Sequence, residues 1–287
     1  MKIKAGIIGT GNIGTDLLIK MVKSNTIDPI IFVGRRKDSD GINKAINLGI
    51  DISSDGILYF INNPKCCDVV FDCTNAFDAI ENYKTFKSQN ISVIDMTPAK
   101  IGEMCVPIIN GDAILNYDNV NMITCGGQAS IPILNLISQC CNKIDYIEIV
   151  SQIASKSAGI ATRINIDQYI NTTETAIKKF TGCLNCKVIL NINPADPCVD
   201  MQTTMFVKSN DVDFDKLQEK LNKRIKEVRK YVPFYEMVMM PTINEDGILI
   251  LSIRVKGLGD YLPSYAGNLD IINCAAINVA ERLTKLI

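Results

Sequence analysis

The stretch Ile3-Lys4-Ala5-Gly6-Ile7-Ile8-Gly9-Thr10-Gly11-Asn12-Ile13-Gly14-Thr15-Asp16-Leu17-Leu18 decides the fold class. A short apolar run from Lys2 to Ile8 ends in Gly9, and from about Ile13 the residues Leu17, Leu18, Met21 and Val22 recur at helical spacing. Strand, glycine turn and helix in that order are the context in which G-x-G-x-x-G holds a dinucleotide. Gly9 permits the tight turn, Gly11 lets the backbone approach a pyrophosphate, and Gly14 lets helix and strand pack closely. The helix start adds free N–H groups and a partial positive charge. Gly9, Thr10, Gly11, Asn12, Ile13 and Gly14 are therefore cofactor-binding candidates, with a ligand-free glycine turn as the alternative.

Working outward, Ile30–Gly34, Val69–Cys73 and Ile91–Asp95 read as further buried strands separated by helical stretches. Such alternation implies right-handed crossovers and a doubly wound parallel sheet of Rossmann type. After Cys125 the texture changes: longer strands are expected at Tyr146–Ile153, Lys187–Ile192, Met201–Val207 and Gly247–Val255, with a charged helix from Phe214 to Tyr231. This second part reads as an α+β catalytic and dimerisation domain with a mostly antiparallel sheet, whose open face suits a second copy, so a homodimer is expected. Asn268–Leu286 reads as a helix with Ile271, Ile272, Ala275, Val279 and Leu283 on its apolar side. The expected division is 1–125 for the dinucleotide-binding domain, 126–264 for the α+β domain, and 265–287 for a helix that packs back on the first.

Composition narrows the function. The 287 residues are 47% hydrophobic and 21% charged with a net charge of -1, which describes a globular protein without the basic surface that nucleic acid or an anionic membrane requires. The N-terminal apolar run is too broken for a signal segment and no run is long enough to span a bilayer, so a cytoplasmic protein is expected. There is no histidine, which removes Ser-His-Asp and Cys-His mechanisms and histidine metal sites. The 11 cysteines do not space as a disulfide framework, and the lone C-x-x-C, Cys183 to Cys186, lacks the second pair a zinc site needs, so no metal is expected.

Two segments carry further chemistry. Val33-Gly34-Arg35-Arg36 places two arginines where an acid usually binds the adenosine ribose. Arg35 and Arg36 suit the 2′-phosphate of NADP, or lie along the adenine or in solvent beside NAD; both readings stand. Val120-Asn121-Met122-Ile123-Thr124-Cys125-Gly126-Gly127 runs from an apolar strand into a helix start, where the dipole and free N–H groups favour a thiolate. Cys125 is the candidate nucleophile, and the amides of Gly126 and Gly127 are candidate oxyanion donors; a buried structural cysteine in a strand-helix turn is the alternative.

Taken together, Gly9–Asp16 (GTGNIGTD), Cys125–Ala129 (CGGQA), Ser155–Arg163 (SKSAGIATR) and Tyr261–Ile271 (YLPSYAGNLDI) resemble the acylating acetaldehyde dehydrogenases. Asp95–Ala99, Asn165–Asp167 and Asn193–Ala195 are similar to further segments of that family. The resemblance implies a fold like that of glyceraldehyde-3-phosphate and semialdehyde dehydrogenases. It also implies oxidation of acetaldehyde or a short aldehyde to acetyl-CoA, with NAD and coenzyme A, through a cysteine thioester on Cys125. The family commonly partners 4-hydroxy-2-oxovalerate aldolase. The same resemblance points to Ser155, Lys156, Ser157, Ala158, Gly159, Ile160, Ala161, Thr162, Arg163 and Asn268 as contacts of the nicotinamide half. The chain departs from the family at Thr203, which stands where an aspartate is common, and at Gly159-Ile160-Ala161, where Gly-Pro-Gly is common. A phosphorylating semialdehyde dehydrogenase of the same fold, which pairs its cysteine with a histidine, and a non-catalytic dinucleotide-binding redox sensor are the competing readings.

Overall fold

Short apolar runs bounded by turn residues form the first sheet, and the residues described by the computed structural model are 2–113 and 116–283. In chain order the elements are β1 (Ile3–Ile8), α1 (Asn12–Val22), β2 (Ile27–Val33), α2 (Asp40–Asn47), β3 (Ile52–Ser53), α3 (Ile57–Asn62), β4 (Val69–Asp72), α4 (Ala76–Ser88), β5 (Ser92–Asp95), β6 (Glu103–Met104), α5 (Pro107–Asn110) and β7 (Asn119–Asn121). There follow α6 (Cys125–Ser138), β8 (Tyr146–Ala154), α7 (Ile160–Ile164), α8 (Ile166–Thr181), β9 (Cys186–Asn193), β10 (Met201–Lys208), α9 (Phe214–Arg229), β11 (Tyr235–Ile243), β12 (Ile248–Val255) and α10 (Gly267–Leu283). Two units emerge: Met1–Ile123 with Gly159–Gln168 and Ile272–Ile287, and Thr124–Ala158 with Tyr169–Ile271. Positions 284–286 of the expected last helix lie outside the described residues.

The first unit holds a seven-stranded parallel sheet in the order β3-β2-β1-β4-β5-β7-β6. Strand β1 pairs with β2 on one side and β4 on the other, so the winding reverses there and a crevice opens beyond its carboxyl end. The strands are buried on both faces and read as near-continuous apolar runs. One side of the core gathers Ile8, Ile31, Val33, Val70 and Val93 around Phe60 and Phe86, whose rings meet edge to face at 5.1 Å.

The second unit is built on a five-stranded sheet, β11-β12-β10-β8-β9, antiparallel throughout except for the β8–β9 pair. Burial alternates along β8 and β10. Ile147, Ile149, Ser151 and Ile153 face inward on one, and Met201, Thr203, Met205 and Val207 on the other. Two hydroxyls thus enter an apolar row, and the register sets Ser151 directly opposite Thr203. Leu217, Leu221, Ile225 and Val228 form the buried stripe of the charged helix α9. Helix α6 is mostly buried; Tyr235 donates to its Ala129 carbonyl at 2.7 Å.

The sequence-based reading finds the parallel and mixed sheets in the right order. It misses the short strands β3 and β6, the edge strand β11, and helix α8. Two-residue strands carry too little periodicity to register, and β11 is broken by register shifts near Met239.

Candidate active site

The turn before α6 is held from both sides. Ile123 sits at φ 65°, a left-handed conformation costly for a β-branched side chain, and its amide is held by the Asn121 side chain at 3.0 Å. Thr124 is the N-cap of α6, and its hydroxyl accepts the Gly127 N–H at 2.9 Å. Thr173 donates to the Tyr169 carbonyl at 2.7 Å, so the 2.7 Å contact between the Thr124 and Thr173 hydroxyls has Thr124 donating. This network, with Asn135 donating to the Phe180 carbonyl, ties α6 to α8 and aims Tyr169 at Cys125.

Cys125 remains partly accessible, whereas Tyr169 is buried. The Tyr169 oxygen accepts the Gly126 N–H at 3.1 Å and lies 3.9 Å from the Cys125 sulfur. A Cβ at Gly126 would overlap that oxygen and stand 2.8 Å from Ser151 Oγ, so only glycine fits. Ser151 hydrogen-bonds Tyr169 and lies 3.0 Å from Thr203 Oγ1; Ser252 Oγ donates to the Thr203 carbonyl at 3.3 Å.

Two details of the sequence reading are corrected here. Burial pushes the Cys125 thiol up to about 11, outweighing the Tyr169 hydroxyl and the amides of Gly126 and Cys125, which pull it down. A helix start without a cation does not offset the desolvation of a sulfur in this pocket. The amides assigned to an oxyanion are also engaged, Gly126 with Tyr169 and Gly127 with Thr124. The Cys125 amide, which faces its own sulfur, is the donor left in the turn.

Tyr169 escaped the sequence reading. The available signal was the spacing Tyr169, Thr172, Thr173, Ala176, Ile177, which places a phenol on the buried stripe of an otherwise polar helix, where its hydroxyl requires a partner. Asp200 precedes β10 and lies 4.0 Å from the Arg254 guanidinium.

The remaining candidates fall in both units. In the first, Gly9 takes φ 107° and lies against the Cys73 and Thr74 backbone, while a Cβ at Gly14 would overlap the Gly9 carbonyl. Gly11 has nothing within 4 Å of its Cβ position, and no side chain caps α1. Gly159, which leads into Ile160, Ala161, Thr162 and Arg163, has its Cβ position 3.6 Å from the Asn12 amide nitrogen, so two sequence-distant candidate blocks meet. Arg35 and Arg36 are exposed, and Arg35 lies 3.2 Å from Asp78. In the second unit, Ser155 N donates to the Asn193 carbonyl at 2.7 Å, Ser157 Oγ donates to the Ala154 carbonyl at 2.8 Å, and Lys156 pairs with Asp196 at 3.6 Å. Asn268 is buried and its Oδ1 has no hydrogen-bond partner among the described residues, which leaves an acceptor for a ligand N–H. Within the first unit the open glycine turn and the uncapped helix start suit a pyrophosphate, and within the second the orphaned Asn268 acceptor suits a carboxamide N–H. All eleven cysteines are free thiols, and no metal-holding cluster occurs among the described residues.

A profile described as prokaryotic acetaldehyde dehydrogenase, dimerisation, matches residues 125–263. The acetaldehyde dehydrogenase of Spirochaeta aurantia is 49% identical over 99% of this chain and 95% of its own length. That of Pectobacterium atrosepticum is 48% identical over 99% and 97%.

The chain belongs to the acetaldehyde dehydrogenase family.

It is therefore an enzyme, an oxidoreductase, and the acetaldehyde dehydrogenase dimerisation segment starts at the candidate nucleophile. Among solved structures, aspartate semialdehyde dehydrogenase with NADP from Candida albicans superposes with a TM-score of 0.70 at 13% identity, covering 100% of both chains. Aspartate semialdehyde dehydrogenase II from Vibrio cholerae, complexed with ASA, gives 0.66 at 13% over 99% of both. At this identity the likeness speaks for the fold, which this chain shares with those two proteins. No helix among the described residues is long and apolar enough to cross a membrane.

Proposed function

We propose that this chain oxidises acetaldehyde, or a short aliphatic aldehyde, to its coenzyme A thioester with NAD as the acceptor, through a thioester on Cys125. The observation that carries the reading is a partly accessible thiol at the first position of α6, beside a glycine that no other residue can replace. The Cys125 sulfur bonds to the aldehyde carbon and gives a hemithioacetal whose oxygen lies within reach of the Cys125 amide. A bound nicotinamide supplies the hydride acceptor. Once the hemithioacetal carbon has lost its hydride and the oxygen its proton to solvent, a thioester remains on Cys125; the thiol of coenzyme A attacks it, and the cysteine leaves with that thiol's proton. With no histidine in the chain, no imidazole activates water against that thioester.

Gly9, Thr10, Gly11, Asn12, Ile13 and Gly14 would hold the pyrophosphate at the start of α1. Asn268 would offer its Oδ1 to a carboxamide N–H, and Ser155–Ala158 and Gly159–Arg163 are the further segments proposed to contact the nicotinamide half. Arg35 and Arg36 are exposed enough to receive a 2′-phosphate, so NADP is tested beside NAD. A homodimer in the cytoplasm is proposed, supported by the dimerisation profile and by the exposed Val238, Met239, Met240 and Ile243 of β11. The resemblance extends the proposal to a complex with 4-hydroxy-2-oxovalerate aldolase, tested by co-elution of the two purified proteins.

The deciding assay follows reduced cofactor with acetaldehyde, coenzyme A and either NAD or NADP, with phosphate in place of coenzyme A as the control for a phosphorylating enzyme. Cys125→Ala should abolish reduction while cofactor binding survives. Wild-type turnover in that variant would remove the covalent reading, and loss of cofactor binding would mark it as structural damage.

A further inference from the structure

The surroundings of Tyr169 give its hydroxyl a direction. A phenol oxygen accepts two hydrogen bonds and donates one. Here the Gly126 N–H fills one acceptor position and the Cys125 thiol is poised at the second, 3.9 Å away. Ser151 also bonds the phenol oxygen, and the phenolic proton is left to the sulfur or to an oxygen brought alongside it. The sheet beneath is built to hold this orientation. Ser151 and Thr203 face the core from neighbouring strands at the same register level, among isoleucines and methionines, where a hydroxyl is costly unless bonded. They bond each other at 3.0 Å, and Ser151 reaches Tyr169.

We propose that Tyr169 is a catalytic residue that carries a proton from sulfur to substrate: its oxygen takes the Cys125 thiol proton while its own hydroxyl proton passes to the aldehyde oxygen. The proposal rests on the reading of Cys125 as the nucleophile. In this step the S–C bond forms, the carbonyl π bond breaks, the S–H proton moves to the phenol oxygen and the O–H proton moves to the new alcohol. Thiol and aldehyde become a neutral hemithioacetal, and tyrosine ends as it began. No thiolate, phenolate or external base is created. That suits a pocket in which burial disfavours both anions: the Tyr169 phenol is pushed well above its ordinary range, as the thiol is. It also suits a site in which the group beside Ser151 is the Thr203 hydroxyl. The sulfur-to-oxygen gap is long for a resting hydrogen bond, as is common before substrate arrives, and the hemithioacetal oxygen, two bonds from sulfur, fits within it.

The test uses Tyr169→Phe in the full chain, which keeps the ring and removes one oxygen. Single-turnover oxidation of acetaldehyde is expected to slow about 10²- to 10⁴-fold with little change in aldehyde affinity. Alkylation of Cys125 by iodoacetamide forms an S–C bond with no oxygen to protonate, and it should fall less than about tenfold. Equal losses in the two reactions, or oxidation within about threefold of wild type, would overturn the proposal. A measurement on the wild-type chain does not depend on how the variant folds. Both transferred protons exchange with solvent, so acylation slows in D₂O, and acylation indifferent to D₂O counts against the step. Cys125→Ala in the same assay keeps the two readings apart. If it is active, the nucleophile assignment fails and Tyr169 with it; if it is dead while Tyr169→Phe is unimpaired, only the proton path is lost.

Discussion

Gly126→Ala concentrates the geometry of the site in one methyl group. The new carbon would overlap the Tyr169 oxygen and stand 2.8 Å from Ser151 Oγ, where a carbon-oxygen contact needs about 3.3 Å. Tyr169 is buried and Ser151 is locked between β-strands, so neither oxygen withdraws freely. The hydroxyl must retreat by something of the order of 1 Å, which stretches the 3.1 Å bond from the Gly126 amide past the useful range. Overpacking costs about 1–3 kcal/mol and the lost hydrogen bond about 1 kcal/mol more. A destabilisation of about 2–4 kcal/mol follows, readable as a lower urea midpoint for the unit that contains α6. Activity should fall further than stability does, because the displaced oxygen is the one nearest the sulfur. Single-turnover oxidation is therefore measured well below the unfolding midpoint and set beside the fraction folded. A Gly126→Ala variant with wild-type stability and wild-type turnover would refute the placement of Tyr169 against this turn.

Two predictions concern pH. The Cys125 thiol, pushed up to about 11 from 9.0, should alkylate about tenfold faster for each unit of pH between 7 and 10; mass spectrometry of its peptide checks this, and a plateau near neutrality refutes it. Asp95, buried beside Asp72, is raised from 3.8 to about 7 by desolvation first and then by Asp72. Its folded form thus holds a proton that the unfolded chain releases. The stability it contributes is complete below about pH 4 and is lost as pH rises through 7. With no histidine to mask the effect, the unfolding free energy from urea titration, and the midpoint with it, should drop between pH 4 and 7, by no more than about 1.4 kcal/mol per pH unit. A flat or rising midpoint over that interval refutes the reading of Asp95.

How much of the site was legible follows from which interactions are local. The glycine turn at Gly9–Gly14 could be read because its requirements are met within six residues: a positive φ at Gly9, a close contact at Gly14 and an open side at Gly11. Cys125 could be read for the same reason, since helix start, flanking glycines and thiol are contiguous. The state of the thiol could not. Its raised pKa depends on enclosure by residues far along the chain, and the amides next to it are claimed by Thr124 and by a tyrosine 43 residues away.

Hydrophobic periodicity, glycine placement and the missing histidine belong to the amino-acid order itself, and they were enough to set the doubly wound sheet, the mixed second sheet and the kind of chemistry open to a cysteine without an imidazole. Strand pairing decided the rest. Opposing Ser151 to Thr203 and bringing α8 against the start of α6 are matters of register and packing between segments that share no local signal. The physical reason is the range of the forces: backbone sterics and periodic burial act over a few residues, whereas desolvation and hydrogen bonding at a buried sulfur depend on every group that surrounds it, wherever in the chain that group originates.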